Sequence, residues 1–149
     1  MCMRDYSRTM RIYFAASIRG GRQDKELYAR LIKLLGEYGE VLTEHIGDTK
    51  LSEDRSRDRD SNQSIYDRDM AWLRSADIVV AEVTHPSLGV GYELAQAEVM
   101  GKPVLCLYRV LPERNVSAMV AGNPYFKVYE YVDSGLLEEV KELLDLYIK

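Results

Sequence analysis

The segment richest in residues that could do chemistry runs from Ile78 to Met100, where a buried strand, a turn and a helix are predicted. Small residues in the turn let the backbone approach a ligand closely, and these are Ser87, Gly89 and Gly91. Glu93 is predicted in the first turn of the helix, where the helix dipole favours an ionised carboxylate. A glutamate that only caps the helix would fit the same position. Glu82, at the end of the strand, is a second candidate carboxylate.

Asp69 lies at an unusual position for a carboxylate. It falls near the centre of an apolar helical stripe formed by Ile65, Trp72, Leu73 and Ala76. Burial there raises the pKa of an aspartate unless it is paired, and a raised pKa would suit a proton donor. A salt-bridging aspartate at the edge of the core is an equally common interpretation. An ionised Glu93 opposite Asp69 would give the two carboxyl groups that divide nucleophile from acid in glycoside cleavage.

A turn of small residues, Ala15 to Gly21, follows the first predicted strand. It opens the first predicted helix and could present backbone N–H groups to an anion, with Arg19 as a cationic partner. The turn has neither the G-x-G-x-x-G pattern nor the lysine of a P-loop, so a plain strand-to-helix turn fits about as well. The residue types alone therefore indicate a phosphate site only weakly.

Strand-like runs alternate with helical patterns along the chain. The predicted strands are Ile12 to Ala15, Glu40 to Leu42, Ile78 to Glu82, Val104 to Tyr108 and Phe126 to Tyr131. Apolar residues at helical spacing predict helices around Leu27 to Tyr38 and Leu137 to Ile148. This alternation predicts an α/β fold, with a doubly wound sheet of five mainly parallel strands and helices on both faces. Ligands then bind at the carboxyl ends of the strands, where the turns with Arg19 and Glu93 lie.

The segment from Asp48 to Gln63 carries mixed charge and no apolar period. It is predicted to be a loop, either a solvated connection or a segment able to close over a ligand.

Size and charge narrow the range of functions. The chain has 149 residues, of which 46% are hydrophobic and 30% charged, as in one ordinary globular domain. We expect a flexible segment over residues 1–10 and a single domain over residues 11–149. The formal net charge of -4 offers no basic surface for polymeric nucleic acid, so an anion must be held by local groups.

The cysteines and histidines indicate no special site. Cys2 and Cys106 are not spaced as a disulfide framework, and His45 and His85 are not spaced as zinc ligands. We therefore expect neither a metal nor a cofactor. The sequence has no apolar run of signal-peptide or membrane-spanning length, which predicts a cytosolic protein without a membrane partner.

Several segments together carry a family resemblance. They are Ile12 to Gly21, Val41 to His45, Asp69 to Leu73, Ala81 to Thr84, Pro86 to Leu94 and Val116 to Met119. In order and spacing they resemble the 2′-deoxynucleoside 5′-phosphate N-hydrolases, relatives of the nucleoside 2-deoxyribosyltransferases. The similarity extends from Arg11 to Tyr147, and the run from Ser87 to Glu93 is its most specific part. Ala16 departs from the family pattern, which has glycine there, and the charged loop matches only in being polar.

The resemblance implies a flavodoxin-like fold and a homodimer that acts on a small nucleotide. It implies that Glu93 attacks the anomeric carbon, that Tyr13 orients the nucleophile or the sugar, and that Asp69 assists departure of the base or holds a sugar hydroxyl. The residues implied to bind substrate and phosphate are Ser17, Ile18, Arg19, Gly20, Ser87, Gly89, Ser117 and Met119. By the same resemblance the neighbouring subunit supplies Ser117, although a serine there would more often simply cap a helix.

The expected reaction is hydrolysis of the N-glycosidic bond of (deoxy)nucleoside 5′-monophosphates, through a covalent intermediate on Glu93. Its products would be the free base and (deoxy)ribose 5-phosphate. The alternatives are a hydrolase of ribonucleotides such as cytidine monophosphate, a deoxyribosyltransferase, and a non-catalytic nucleotide-binding module. The predicted phosphate site favours a nucleotide over a free nucleoside. The three residues Tyr13, Asp69 and Glu93 argue against the non-catalytic module.

Overall fold

Strands and helices alternate along the chain, as the hydrophobic pattern predicts. The computed structural model describes residues 8–18, 22–43, 61–132 and 136–148. The elements are β1 Arg11–Ala16, α1 Arg22–Leu35, β2 Glu40–Val41, α2 Asn62–Ser75, β3 Ile78–Glu82, α3 Leu88–Val99, β4 Val104–Arg109, α4 Ala118–Ala121, β5 Lys127–Tyr131 and α5 Leu136–Ile148.

The strands form one sheet in the order β2-β1-β3-β4-β5, and each neighbouring pair is parallel. The chain therefore leaves β1 in one direction and β3 in the other, which opens a crevice at their carboxyl ends. The predicted doubly wound, flavodoxin-like sheet is confirmed.

Side chains alternate between the two faces of the sheet, as they must in strands. Ile12, Phe14 and Val80 point to one face, where they pack in one core with residues of α1 and α5. Tyr13 and Val79 point to the other face, where they pack with residues of α2 and α3. Helices cover both faces. Even-numbered residues of β1 and β3 point into the core with α1 and α5, and odd-numbered residues point into the core with α2 and α3.

Some predicted boundaries shift. β1 and β4 extend to Ala16 and Arg109, β2 ends before Leu42, and β5 begins after Phe126. Tyr38 lies beyond the end of α1, where its hydroxyl donates to Asp145 Oδ1 at 2.6 Å. These shifts occur at element ends, where local sequence patterns are least informative.

The charged loop is shorter than predicted at its carboxyl end. Ser61 caps α2 by accepting a hydrogen bond from the Ser64 amide at 3.1 Å, so Asn62 and Gln63 are helical. Residues 48–60 lie outside the described part of the chain.

At the amino end of the sheet, Arg8 and Met10 fall within the segment predicted to be flexible. The Arg8 guanidinium lies 2.5 Å from Asp77, and the Met10 carbonyl accepts a hydrogen bond from the Glu40 amide at 2.8 Å. The division of the chain at residue 11 stays a prediction, and residues 1–7 lie outside the described part. Within the described residues, no helix has the length and apolar character needed to span a bilayer.

Candidate active site

Tyr13 and Glu93 meet on the α2/α3 face of the sheet. Tyr13 is buried in β1, and its hydroxyl donates to Glu93 Oε1 at 3.0 Å. Burial raises the pKa of Glu93 to about 7, the Asp69 charge adds to this, and the Tyr13 hydrogen bond opposes it. Burial and the charge of Glu93 also raise the pKa of Tyr13 far above its usual value, so this hydroxyl stays a donor. The pair is one carboxylate oriented by one phenol.

The predicted place of Glu93 in its helix is wrong by one turn. Ser87 caps α3 and accepts a hydrogen bond from the Val90 amide at 3.3 Å, so the first turn begins at Leu88 and holds no acidic residue. Glu93 lies in the second turn, where the influence of the helix dipole has largely decayed. Burial therefore determines the pKa of Glu93. It raises this pKa, whereas the dipole argument expected the ionised form to be favoured.

Asp69 projects from α2 beside this pair, since its charge contributes to the raised pKa of both Tyr13 and Glu93. It is half-buried, and Arg68 Nε lies 3.2 Å from its Oδ1. The Arg68 guanidinium also lies 4.9 Å from the centre of the Trp72 ring. Asp69 is thus a paired aspartate, as in the salt-bridging alternative stated for this position. Sequence reasoning missed Arg68, although its i,i+4 spacing to Trp72 was a usable signal.

Glu82, the second candidate carboxylate, lies on the opposite face of the sheet. Its side chain points to the same face as that of Val80, two residues earlier in β3, and it is 2% exposed. One carboxylate oxygen accepts from the Thr84 amide at 2.7 Å and the other from the Tyr131 hydroxyl at 2.9 Å. The structure therefore separates Glu82 from Tyr13 and gives it structural partners.

The residues implied to bind phosphate begin at the carboxyl ends of β1 and β3. Ser17 follows β1 and is buried, whereas Ile18 is partly exposed. Arg19 and Gly20 lie outside the described residues. Ser87 caps α3, and Gly89 lies in the first turn of that helix. Ser17 and Ser87 thus follow two adjacent strands at the crevice that the strand order creates.

Ser117 and Met119 lie elsewhere, at a groove of about 470 Å³ between α3 and α4. Ser87 also lines this groove, but Tyr13, Asp69 and Glu93 do not. Ser117 is at the cap position of α4, yet its side chain makes no capping hydrogen bond. Within the described part of one chain the predicted residues therefore lie in three places. Tyr13, Asp69 and Glu93 lie together, Ser17 and Ile18 follow β1, and Ser87, Ser117 and Met119 line the groove.

The first group suits nucleophilic chemistry at carbon. A carboxylate held by a tyrosine, with a second carboxylate nearby, matches the two-carboxylate arrangement of glycoside cleavage. In the part of the chain that the structure describes, no three His, Cys, Asp or Glu side chains form a group that could hold a metal ion.

Comparisons with known proteins agree with this chemistry. The family model described as nucleoside 2-deoxyribosyltransferase matches residues 12–140. A 5-hydroxymethyl-dUMP N-hydrolase of Mus musculus is 48% identical over 93% of this chain and 79% of its own length. The enzyme of that name from Danio rerio is 47% identical over 94% and 96%. A putative 2′-deoxynucleoside 5′-phosphate N-hydrolase of Nematostella vectensis is 50% identical over 91% and 92%.

Among solved structures, the CMP N-glycosidase BcmB of Clostridium botulinum shares the fold, with a TM-score of 0.62 and 23% identity. The match covers 92% of this chain and 98% of that one. The resemblance noted in the sequence is confirmed by the family match and by the relatives, and the chain belongs to the nucleoside 2-deoxyribosyltransferase family.

Proposed function

We propose that this chain hydrolyses the N-glycosidic bond of (deoxy)nucleoside 5′-monophosphates to the free base and (deoxy)ribose 5-phosphate. The observation that carries the proposal is the hydrogen bond from Tyr13 to Glu93 at 3.0 Å, with Asp69 beside it. The names of the relatives support the substrate class. The test is to incubate the protein with a panel of nucleoside monophosphates and to follow free base by chromatography. Release of no base from any member would contradict the proposal.

Glu93 is the nucleophile in this mechanism. Tyr13 holds Oε1, and the second carboxylate oxygen attacks C1′ of the sugar. The bond from C1′ to the base nitrogen breaks, and the base leaves with the electron pair and gains a proton. Water then cleaves the glycosyl ester, which restores the carboxylate and releases the sugar phosphate. The phosphate supplies binding energy remote from C1′ that holds the sugar against Glu93.

Asp69 has two proposed roles, assisting departure of the base and holding a sugar hydroxyl. Its pairing with Arg68 favours the second, because a carboxylate that faces a guanidinium is suited to accepting hydrogen bonds. Arg68 in turn places a positive charge where negative charge develops on a departing base.

The pH profile is expected to show an acidic limb controlled by Glu93. The nucleophile must be ionised, and burial raises the pKa of Glu93 to about 7, so kcat/KM rises as the pH increases through that value. Tyr13→Phe removes the hydrogen bond that lowers this pKa, so the limb moves to higher pH. Kinetics of both proteins between pH 5 and 9 check the shift. A limb that stays in place in Tyr13→Phe would assign it to another group.

The proposal includes a homodimer in a cytoplasmic setting, for which a buried free Cys106 thiol is suited. The groove between α3 and α4 carries large apolar side chains that this chain leaves uncovered. Leu88 is 96% exposed and Met119 is 82% exposed. Apolar side chains at this exposure favour an interface, and a second copy of the chain would cover them. Ser117, at the same groove, then reaches the phosphate held by its partner.

Complementation separates a shared site from a site within one chain. Glu93→Gln is prepared in one batch and Ser117→Glu in another, where the new carboxylate repels the phosphate. Each is expected to be nearly inactive. After subunit exchange about half the dimers are hybrid, so roughly a quarter of all sites carry neither change and regain activity.

Mass spectrometry of tagged chains establishes that subunits have exchanged. Gel filtration of Ser117→Glu beside Ser117→Ala controls for loss of the dimer. Activity that stays at the level of the separate batches, with exchange complete, means that Ser117 serves its own chain, at the groove it shares with Ser87.

A further inference from the structure

A second cluster of charged side chains lies at the carboxyl edge of the sheet, on the α1 side. Asp24, in the first turn of α1, is only 5% exposed. Its Oδ1 accepts a hydrogen bond from Arg109 Nη2 at 2.9 Å, and its Oδ2 lies 2.5 Å from His85 Nε2. Each carboxylate oxygen of Asp24 therefore contacts one of these two side chains. Nothing in the mechanism above employs these three residues.

The contacts of Asp24 join segments that are distant in sequence. Arg109 ends β4, whereas His85 lies in the connection between β3 and α3. The Arg109 amide also donates to Thr84 Oγ1 at 2.9 Å, so two successive residues of that connection are held. A buried carboxylate is costly unless it is fully paired, and removing one partner of such a pair is strongly destabilising. The cluster consequently holds α1, β4 and the β3–α3 connection in one arrangement.

The tautomer of the His85 ring follows from its other neighbour. Arg114 Nη1 lies 3.2 Å from His85 Nδ1. A guanidinium can only donate, so in this contact Nδ1 is the acceptor. The ring hydrogen is then on Nε2, the nitrogen that lies 2.5 Å from Asp24 Oδ2. Each oxygen of Asp24 thus faces a nitrogen that carries hydrogen, Arg109 Nη2 or His85 Nε2.

We propose that Asp24 is a positioning residue that fixes the spacing between the two sides of the 5′-phosphate site. The inference rests on the proposed function. Ser17 precedes the helix that carries Asp24, and Ser87 follows His85 closely in the connection to α3. Asp24, on the helix that follows Ser17, contacts the connection that leads to Ser87, and this contact sets the distance between the two segments. Phosphate contacts depend on donors placed to within a fraction of an ångström, so a small change in this distance weakens phosphate binding.

The test is Asp24→Asn, which keeps the shape but turns one acceptor into an NH2 group that faces a donor. We expect KM for a deoxynucleoside monophosphate to rise about tenfold or more, with kcat changed less than about twofold. The inhibition constant of inorganic phosphate should rise in parallel. A merely structural defect would lower the active fraction, and hence the apparent kcat, without moving this inhibition constant.

Asp77→Asn is the matched control. Asp77 is likewise an aspartate with contacts to both carboxylate oxygens, since it accepts from Arg8 and from the Arg11 amide, but it lies at the amino end of the sheet. It should leave KM and phosphate inhibition unchanged even where it lowers the melting temperature. An equal rise of KM in Asp77→Asn would overturn the inference, as would an unchanged KM and phosphate inhibition constant in Asp24→Asn.

His85 provides a rescue experiment. His85→Ala removes the side chain that contacts Asp24 and should raise KM, whereas His85→Gln keeps a polar side chain with an N–H donor and an acceptor and should keep KM close to wild type. If Gln and Ala behave alike, the contact between residue 85 and Asp24 is not the positioning contact. If the wild-type protein releases no base at all, the proposed function fails. Calorimetric binding of inorganic phosphate to the wild type and Asp24→Asn then tests the spacing by itself.

Discussion

Glu93→Gln is expected to lower kcat by about 10⁴-fold or more while nucleotide binding and the melting temperature stay close to wild type. The amide has almost the same shape, and the Tyr13 hydroxyl can still donate to its oxygen. It cannot form the glycosyl ester, so the substitution removes only the proposed nucleophile. Rates of base release and calorimetric titration with a nucleoside monophosphate measure the two effects separately.

Glu82→Gln is the informative contrast, because Glu82 is a buried glutamate on the other face of the sheet. An amide at this position places an NH2 group against either the Thr84 amide or the Tyr131 hydroxyl. The melting temperature should fall, and the folded fraction should keep its turnover. A folded but inactive Glu82→Gln beside an active Glu93→Gln would mean that the nucleophile is misassigned. Acid quenching followed by peptide mass analysis should locate the sugar phosphate on the peptide that contains Glu93.

The 5′-phosphate is expected to contribute at least about a thousandfold to kcat/KM. A hydrogen bond to a charged group is worth about 1.5–3 kcal/mol. Each 1.4 kcal/mol is about tenfold, so two or three contacts suffice. Ser17 and Ser87, two serines of the proposed site, follow adjacent strands, and Ser87 caps the amino end of a helix, which suits an anion.

The measurement compares kcat/KM for a deoxynucleoside and for its 5′-monophosphate with the same base. Deoxynucleoside 3′-monophosphate is the control for charge alone, and it should be as poor a substrate as the nucleoside. Comparable values for nucleoside and 5′-monophosphate would reject the phosphate site. They would instead favour a deoxyribosyltransferase, which an added acceptor base would reveal by forming a new nucleoside.

The fold could be predicted from the sequence because its strands are short apolar runs bounded by polar residues. β3 was predicted without error, since Ile78 follows Asp77 and the run ends at Glu82. β2 was overestimated by one residue, because Leu42 continues the apolar pattern in a turn. The parallel pairing of the strands came from their alternation with helices, whereas the flavodoxin-like arrangement came from the family resemblance.

The site around Glu93 could be predicted only in part from the sequence. Residue types and spacing alone favoured a capping glutamate at position 93, and it was the family resemblance that indicated a nucleophile. Its hydrogen bond to Tyr13 joins residues 80 positions apart, which no local pattern encodes. The start of α3 was placed too late, because a proline and two glycines surround the true cap at Ser87.

The Asp24 cluster could not be predicted from local patterns. Asp24 looks like an ordinary acidic residue at a helix start, and His85 like a loop histidine. Arg109 lies 85 positions from Asp24 along the chain. Only the placement of β4 beside β3 brings the Arg109 side chain to the α1 face.

The alternation of side chains in β1 and β3 places two groups of polar residues on opposite faces of the sheet. The proposed nucleophile Glu93 and the Arg68–Trp72 pair lie on the α2/α3 side, whereas the Asp24 cluster lies on the α1 side. Substitutions on α2 therefore change the surroundings of Glu93 and do not touch the Asp24 cluster. For directed evolution, α2 is the helix to randomise first, and a one-residue insertion in β1 is the change to avoid, because it would exchange the two sides.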